Sequence, residues 1–203
     1  SISQLHLDRL IDIDVDVLDI SGRLVTRKIH VELMGKYSNV IFTENGIIIE
    51  ALIKTGKGKN AVRTIAPKEP YEFPPNFQRM DPFAFTPAEL REMLDMESSE
   101  PLYQWMLKRF NGMSTIVLDE LAFRTDIDKN TPVSDLTGTQ KDAWCNTIVS
   151  FGNELQGVSG AYVYTVRGKE ILFPILLCSL AQYPRRHFDL IEEYLSDYQT
   201  AHR

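Results

Sequence analysis

Apolar and acidic residues alternate strictly through residues 11–17. Ile11, Ile13, Val15 and Val17 occupy one set of positions and Asp12, Asp14 and Asp16 the other. A period of two predicts a strand with one buried and one wet face, the three aspartates sharing the wet one. Ser21 and Gly22 turn the chain into a second strand over residues 24–34, rich in β-branched side chains. A Gly, Ser and Asn-bearing loop at 35–39 precedes a third strand at 40–42. Asn45-Gly46 then predicts a tight hairpin into a fourth strand over 47–53, because both turn residues favour positive φ. Residues 54–63 interleave Lys54, Lys57, Lys59 and Arg63 with Gly56 and Gly58 and contain no acidic residue. They predict a flexible cationic loop.

Residues 66–85 hold Pro67, Pro70, Tyr71, Phe73, Pro74 and Pro75, a composition that predicts an extended linker packed on something rather than a helix. The period then changes to 3.6. Thr86-Pro87-Ala88-Glu89 supplies the cap, first-turn proline and capping-box glutamate of a helix start, and Ser98-Ser99-Glu100-Pro101 opens a second helix to about residue 110. Asn111-Gly112 breaks it, Ser114 caps a third helix over 115–124, and a fourth covers 139–155. Strands are expected at 161–166 and 170–177 around the turn Arg167-Gly168. Phe188, Ile191, Leu195 and Tyr198 are spaced for a terminal amphipathic helix. The order β, α, β, α with antiparallel strands predicts an α+β fold. Its parts are a β-rich portion at 1–85, a helical module at 86–156, and a returning hairpin and helix at 157–203.

Composition narrows the chemistry. The 203 residues are 43% hydrophobic and 25% charged, average for a globular chain, and no apolar run approaches the roughly 20 residues of a membrane-spanning helix. No membrane partner is expected. A formal charge of -6 excludes nucleic-acid binding by blanket positive charge, so any such binding must use a local basic patch. Cys145 and Cys178 lack redox or metal spacing and fit a reducing cytoplasmic compartment. Residues 1–4 carry no secretory pattern, and a strand starting near Leu7 without a cap is expected of a chain cut from a longer protein.

Catalytic patterns are scarce. The Asp-x-Asp-x-Asp run lacks the glycine and distal glutamate of a calcium loop, and ligands must converge rather than stand in a row. His6, His30, His187 and His202 are isolated, with no metal-ligand spacing, and neither a nucleophile elbow nor a phosphate loop is present. Hence no catalytic residue, metal or cofactor is expected, and the chain reads as a binding protein rather than an enzyme. Residues 108–114 join two short helices through Gly112, the arrangement of a helix-hairpin-helix corner. There Lys108 and Arg109, with Arg124 nearby, are candidates for phosphate contact, and an ordinary helical corner is the alternative. Asp8-Arg9, at the mouth of the first strand, reads on its own as a strand-end donor and acceptor.

Several stretches, in order, carry a resemblance. Asp8-Arg9-Leu10-Ile11, residues 31–41 (Val-Glu-Leu-Met-Gly-Lys-Tyr-Ser-Asn-Val-Ile), Arg63 with Pro67, Pro70-Tyr71 and Pro74-Pro75, and Phe110-Asn111-Gly112-Met113-Ser114 with Glu120 resemble the NFACT N-terminal region, also called fibronectin-binding protein A. The chain departs from the common pattern at Tyr37, where histidine is usual, and at Lys68, where glycine usually follows the proline.

The resemblance implies an antiparallel β-sandwich similar to the N-domain of formamidopyrimidine-DNA glycosylases, with a helix-hairpin-helix-type module inserted before the last strands. It also implies that the family's first β segment, coiled coil and C-terminal RNA-binding domain lie outside this chain. Bacterial members, the RqcH type, are ribosome quality-control factors. They bind the large ribosomal subunit obstructed by peptidyl-tRNA and recruit alanyl-tRNA for untemplated alanine tailing of stalled chains. Carried over residue by residue, Asp8 and Arg9 are expected to engage tRNA, and Glu32, Leu33 and Met34 to dock on the ribosome. Lys54, Lys57, Lys59, Arg63, Lys108 and Arg109 are the candidates for RNA phosphate contact. The alternatives are a fibronectin-binding surface adhesin, which the older name implies, and a glycosylase-like repair enzyme, for which the chain offers no N-terminal proline nucleophile.

Overall fold

The computed structural model describes residues 1–5, 7–56, 63–74, 79–96 and 98–201. Lys57 and Lys59 therefore lie outside the described residues. Two compact units divide the chain, Ser1–Asp81 and Pro82–Arg203.

The first unit is an antiparallel sheet of five strands in sequence order: β1 (Ile2–Gln4), β2 (Leu10–Leu18), β3 (Leu24–Glu32), β4 (Asn39–Glu44) and β5 (Ile47–Ala51). The expected hairpin joins β4 to β5, with Asn45 at φ 52° and Gly46 at 77°. β1 has no counterpart in the expected elements, since three residues are too few to establish a period.

The sheet faces differ from expectation. Register places Leu10 opposite Glu32 and Glu32 opposite Asn39, Asp12 opposite His30, His30 opposite Ile41, and Lys28 opposite Thr43. This mixed face is the covered one: Leu10, Asp12, His30, Glu32, Asn39, Ile41 and Thr43 are all buried. Asp12 thus leaves the wet face assigned to it, whereas Asp16 remains exposed. The opposite face, carrying Ile11, Ile13, Val15 and Val17, is half-buried to exposed. Alternation defines two faces but does not say which one finds a cover.

The cover is the segment read as a linker. Its residues pair along β5, with Ile48 N–H donating to the Glu69 carbonyl (2.9 Å), Lys68 N–H to Ile48 (2.8 Å) and Tyr71 N–H to Gly46 (2.8 Å). Ile65 completes a small apolar cluster with Ile41, Ile48 and Ala51, against which Tyr71 packs. Lys68 holds φ 75° to make its bond, a left-handed conformation that disfavours any residue with a Cβ. Lys68→Gly is expected to raise stability by about 1 kcal/mol through relief of that strain. A denaturant midpoint at or below the parent's would contradict this.

The second unit begins with α1 (Pro87–Asp95), closed by the capping box of Thr86 and Glu89. There follow α2 (Leu102–Arg109), α3 (Thr115–Thr125), capped by the Ser114 hydroxyl, and α4 (Gly138–Glu154), whose capping box is Thr137 with Gln140. A second antiparallel sheet, ordered β7-β6-β8, contains β6 (Ala161–Val166), β7 (Lys169–Phe173) and β8 (Arg185–Phe188), and α5 (Ile191–Ala201) closes the chain. Pro174 stops β7 short of the expected end. Phe188, expected on the terminal helix, belongs to β8 and pairs with Ala161. Trp144, Phe110, Phe151, Leu118 and Tyr164 are fully buried. Phe151 of α4 meets Phe173 of β7 at 6.1 Å, and the Tyr164 hydroxyl accepts the Leu177 N–H at 2.6 Å. These contacts make residues 157–203 part of the helical unit.

Glu120 supplies a further tie. Fully buried on α3, its carboxylate accepts the backbone N–H groups of Cys178 (3.0 Å) and Ser179 (2.8 Å) and the Arg124 guanidinium (2.6 Å). Burial alone would push this carboxyl up, but the Ser179 and Cys178 N–H groups and Arg124 outweigh it and hold it below the usual carboxylate range.

Candidate nucleic-acid interface

One end of the five-stranded sheet gathers most of the residues marked out by the sequence. Asp8 and Arg9 form the β1–β2 connection, a tight turn in which Asp8 N–H donates to the Leu5 carbonyl and Asp8 Oδ1 accepts the Arg9 N–H at 2.7 Å. The Arg9 carbonyl in turn accepts the Leu33 N–H at 2.8 Å, so the Asp-Arg turn and the Leu33-Met34 segment leaving β3 are tied backbone to backbone. A 3-10 turn follows at Gly35–Tyr37, then Asn39 opens β4. The Asn39 side chain accepts the Ile53 N–H (2.9 Å) and donates to the Ile53 carbonyl (2.8 Å), placing Lys54 at the same end. Arg9, Leu33, Lys36, Tyr37 and Lys54 are exposed there.

Glu32 does not share that exposure. Its carboxylate is fully buried, so it cannot reach a ribosome directly and is corrected from docking contact to internal anchor. Arg63 Nη1 and Nη2 both engage it, and the Tyr71 hydroxyl donates to it at 2.9 Å. Arg63, whose side chain is 12% exposed, also donates to the Glu72 carbonyl at 2.6 Å. Its guanidinium is thereby committed to the protein, which corrects its assignment to RNA phosphate. Lys54 pairs with Glu50 at 2.7 Å and keeps a half-exposed side chain.

The anchor continues under the sheet. The Tyr71 ring stacks on His30, with centroids 3.8 Å apart and planes 8° from parallel. His30 Nδ1–H donates to Asp12 at 2.7 Å, its Nε2 accepts the Thr43 hydroxyl at 3.1 Å, and Lys28 reaches the other Asp12 oxygen at 3.1 Å. The chain Lys28–Asp12–His30–Tyr71–Glu32–Arg63 thus fastens the covering segment to β2, β3 and β4. Sequence reasoning missed its members Asp12 and His30. The available signal was the placement of Lys28, His30 and Glu32 on one strand face, which reads as solvent-facing until a cover is known.

Burial lowers the His30 pKa, outweighing the nearby Asp12 carboxylate that would raise it. A second ring proton would also take away the acceptor used by Thr43. Because the folded value lies below the ordinary one of about 6.5, the unfolded chain takes up the proton first as the pH falls. The stabilising contribution is therefore intact above about pH 6.5 and is lost as the pH drops toward the folded value. His30→Gln is expected to flatten the fall in denaturant midpoint over that window; parallel pH curves for variant and parent would contradict it.

Lys108 and Arg109 belong to the other unit and are already answered. Both pair with Glu100, and Arg109 also lies over the Trp105 ring at 4.7 Å. At the corner between α2 and α3, Phe110, Asn111 and Met113 are buried. Arg124 is held by Glu120 and Glu154. Among the described residues no group of three or more His, Cys, Asp or Glu side chains could hold a metal ion, and no helix is long and apolar enough to cross a membrane.

The model of the family described as NFACT N-terminal and middle domains matches residues 1–202. The chain belongs to this NFACT family. Among its relatives, the Rqc2 homolog RqcH of Streptococcus suis is 32% identical over 130 residues, which cover 63% of the chain and 23% of that protein. The Rqc2 homolog RqcH of Bacillus subtilis is 24% identical over 196 residues, covering 96% of the chain and 32% of that protein. The NFACT chain thus spans about a third or less of these relatives. Among solved structures, the fibrinogen binding protein from Staphylococcus aureus superposes with a TM-score of 0.76 at 24% identity, over 98% of this chain and 68% of the other. The N-terminal part of the fibronectin/fibrinogen-binding protein from Streptococcus suis gives 0.71 at 24% identity, over 99% and 67%. At that identity the two structures establish a shared fold.

Proposed function

We propose that this NFACT chain is the tRNA- and large-ribosomal-subunit-binding part of an RqcH-type quality-control factor, and that the whole protein recruits alanyl-tRNA for untemplated alanine tailing of stalled nascent chains. The observation that carries this reading is the 2.8 Å bond from Leu33 N–H to the Arg9 carbonyl, which unites the Asp-Arg turn and the Leu-Met segment in one exposed surface. Arg9 offers a bidentate fork to a phosphate or base edge, and Leu33 and Met34 offer an apolar contact beside it. Glu32 acts through the position it gives those neighbours. The work is binding and positioning in the cytoplasm, with no bond made or broken by these residues. The same reading takes the five-stranded sheet as one layer of a glycosylase-like sandwich and residues 108–114 as a helix-hairpin-helix corner lacking glycosylase activity.

In the intact protein, Asp8→Ala with Arg9→Ala is expected to abolish alanine tailing, and the Arg9 part of the change should cost roughly 0.5 kcal/mol or less because Arg9 is exposed. Undiminished tailing would remove the role given to the pair. A second reading, fibronectin binding at the cell surface, draws on the name of the Streptococcus suis structural neighbour, a fibronectin/fibrinogen-binding protein. Cell fractionation separates the two: recovery chiefly outside the cell favours the adhesin.

A further inference from the structure

The Asp-Arg end of the sheet carries an aromatic ring with no packing role. Tyr37 is 71% exposed, the last residue of a 3-10 turn held by its own N–H to the Met34 carbonyl (3.1 Å) and by Ser38 N–H to the Gly35 carbonyl (3.0 Å). Gly35, at φ 58°, allows that turn. The backbone under the ring is therefore fixed while the ring faces water. Single exposed apolar residues are common, so exposure alone decides nothing.

The charges around it decide more. Among the described residues, Arg63, Arg109, Arg124 and Arg186 also stand over aromatic rings, and each is ion-paired to a carboxylate: Glu32, Glu100, Glu120 with Glu154, and Glu170. Lys36, 4.9 Å from the centroid of the Tyr37 ring, is the exception. Arg9, on the turn tied to Leu33, likewise has no carboxylate at ion-pairing distance among the described residues. In a chain of net charge -6, an exposed aromatic ring under one unanswered cation, at the same sheet end as a second, is a local reversal of the surface. A stacking ring flanked by phosphate-reaching cations is how proteins hold single-stranded nucleic acid, and every base offers the π-face such a ring needs.

We infer that Tyr37 is the stacking platform for one unpaired RNA base, with Lys36 and Arg9 on the flanking phosphates. The inference rests on the RNA-binding reading above and adds to it the feature recognised: a base free of Watson–Crick pairing rather than duplex shape.

The test compares the intact protein, Tyr37→Ala and Tyr37→Phe for binding, by fluorescence anisotropy, to a short oligouridylate and to an abasic ribose-phosphate strand of equal length. The parent is expected to bind the base-bearing strand about 5- to 100-fold more tightly. Tyr37→Ala should lose most of that preference with unchanged affinity for the abasic strand, and Tyr37→Phe should retain it. A preference that survives Tyr37→Ala overturns the stacking role, as does a parent that binds both strands equally. Binding of neither strand by the parent overturns the RNA-binding reading itself, so the two failures are distinguishable.

Discussion

Replacing Glu32 with alanine is expected to destabilise the sheet unit by about 3–5 kcal/mol, the usual cost of leaving a buried charge without its partner. The change strands the Arg63 guanidinium, at 12% side-chain exposure, and deprives the Tyr71 hydroxyl of its acceptor. The Glu72 carbonyl still accepts from Arg63 but cannot neutralise it. Since the pair is largely shielded from water, its loss resembles burial of a lone ion more than loss of a surface bridge. Glu32→Leu with Arg63→Met, which removes both charges and retains apolar bulk, should recover most of the stability. Urea unfolding of the single and double variants checks both statements; a double variant no more stable than Glu32→Ala would contradict the ion-pair account. Leu33→Ala makes the functional contrast. It should weaken ribosome co-sedimentation at nearly unchanged stability, because Leu33 is exposed and Glu32 is not.

A loss of about 2–6 kcal/mol, about 1–3 for each N–H group left without its acceptor, is expected for Glu120→Ala in the helical unit. Two backbone N–H groups, from Cys178 and Ser179, lose their acceptor, and the turn they belong to loses its tie to α3. Arg124 keeps Glu154, so its charge remains paired and the cost falls mainly on the unpaired N–H groups. Glu120→Gln tests that division: an amide oxygen can accept one N–H but its amino group cannot accept the other, so it should lose roughly half as much. Hydrogen exchange at Cys178 and Ser179 should quicken in both variants. Unaltered exchange with unaltered stability would show that the turn is held by other contacts.

These two carboxylates also mark what sequence could and could not disclose. The alternation at 11–17, the Asn45-Gly46 hairpin and the capping residues Thr86, Ser114 and Glu89 act through neighbours a few residues away, so local pattern sufficed to locate those elements. Pairing across long separations did not announce itself. Arg63 and Tyr71 reach Glu32 from 31 and 39 residues away, and Cys178 reaches Glu120 from 58. Accordingly a proline-rich stretch read as linker is the cover of the sheet, and Asp12, read as solvent-facing, and Glu32, read as a docking group, are buried together with His30. The terminal strand β8 was hidden for a related reason: its four residues share Phe188 with the helical spacing that continues into α5.

At the binding surface the division is similar. Asp8, Arg9, Leu33 and Met34 were legible as motif residues, but their union at one sheet end follows from strand register and the Leu33–Arg9 bond. Lys108, Arg109 and Arg63 look equally cationic in sequence, and only geometry shows them paired with Glu100 and Glu32. Net positive character at this surface is thus narrower than the count of basic residues implies. It is centred on Arg9 and Lys36.

The most direct test of that claim is to purify the intact protein and its Asp8→Ala, Arg9→Ala variant from cells and sequence the RNA bound to each. Transfer RNA and large-subunit ribosomal RNA should be enriched with the parent, and the transfer RNA should fall to background with the variant. Equal transfer RNA on both would contradict the account, and RNA at background levels on the parent would contradict it outright.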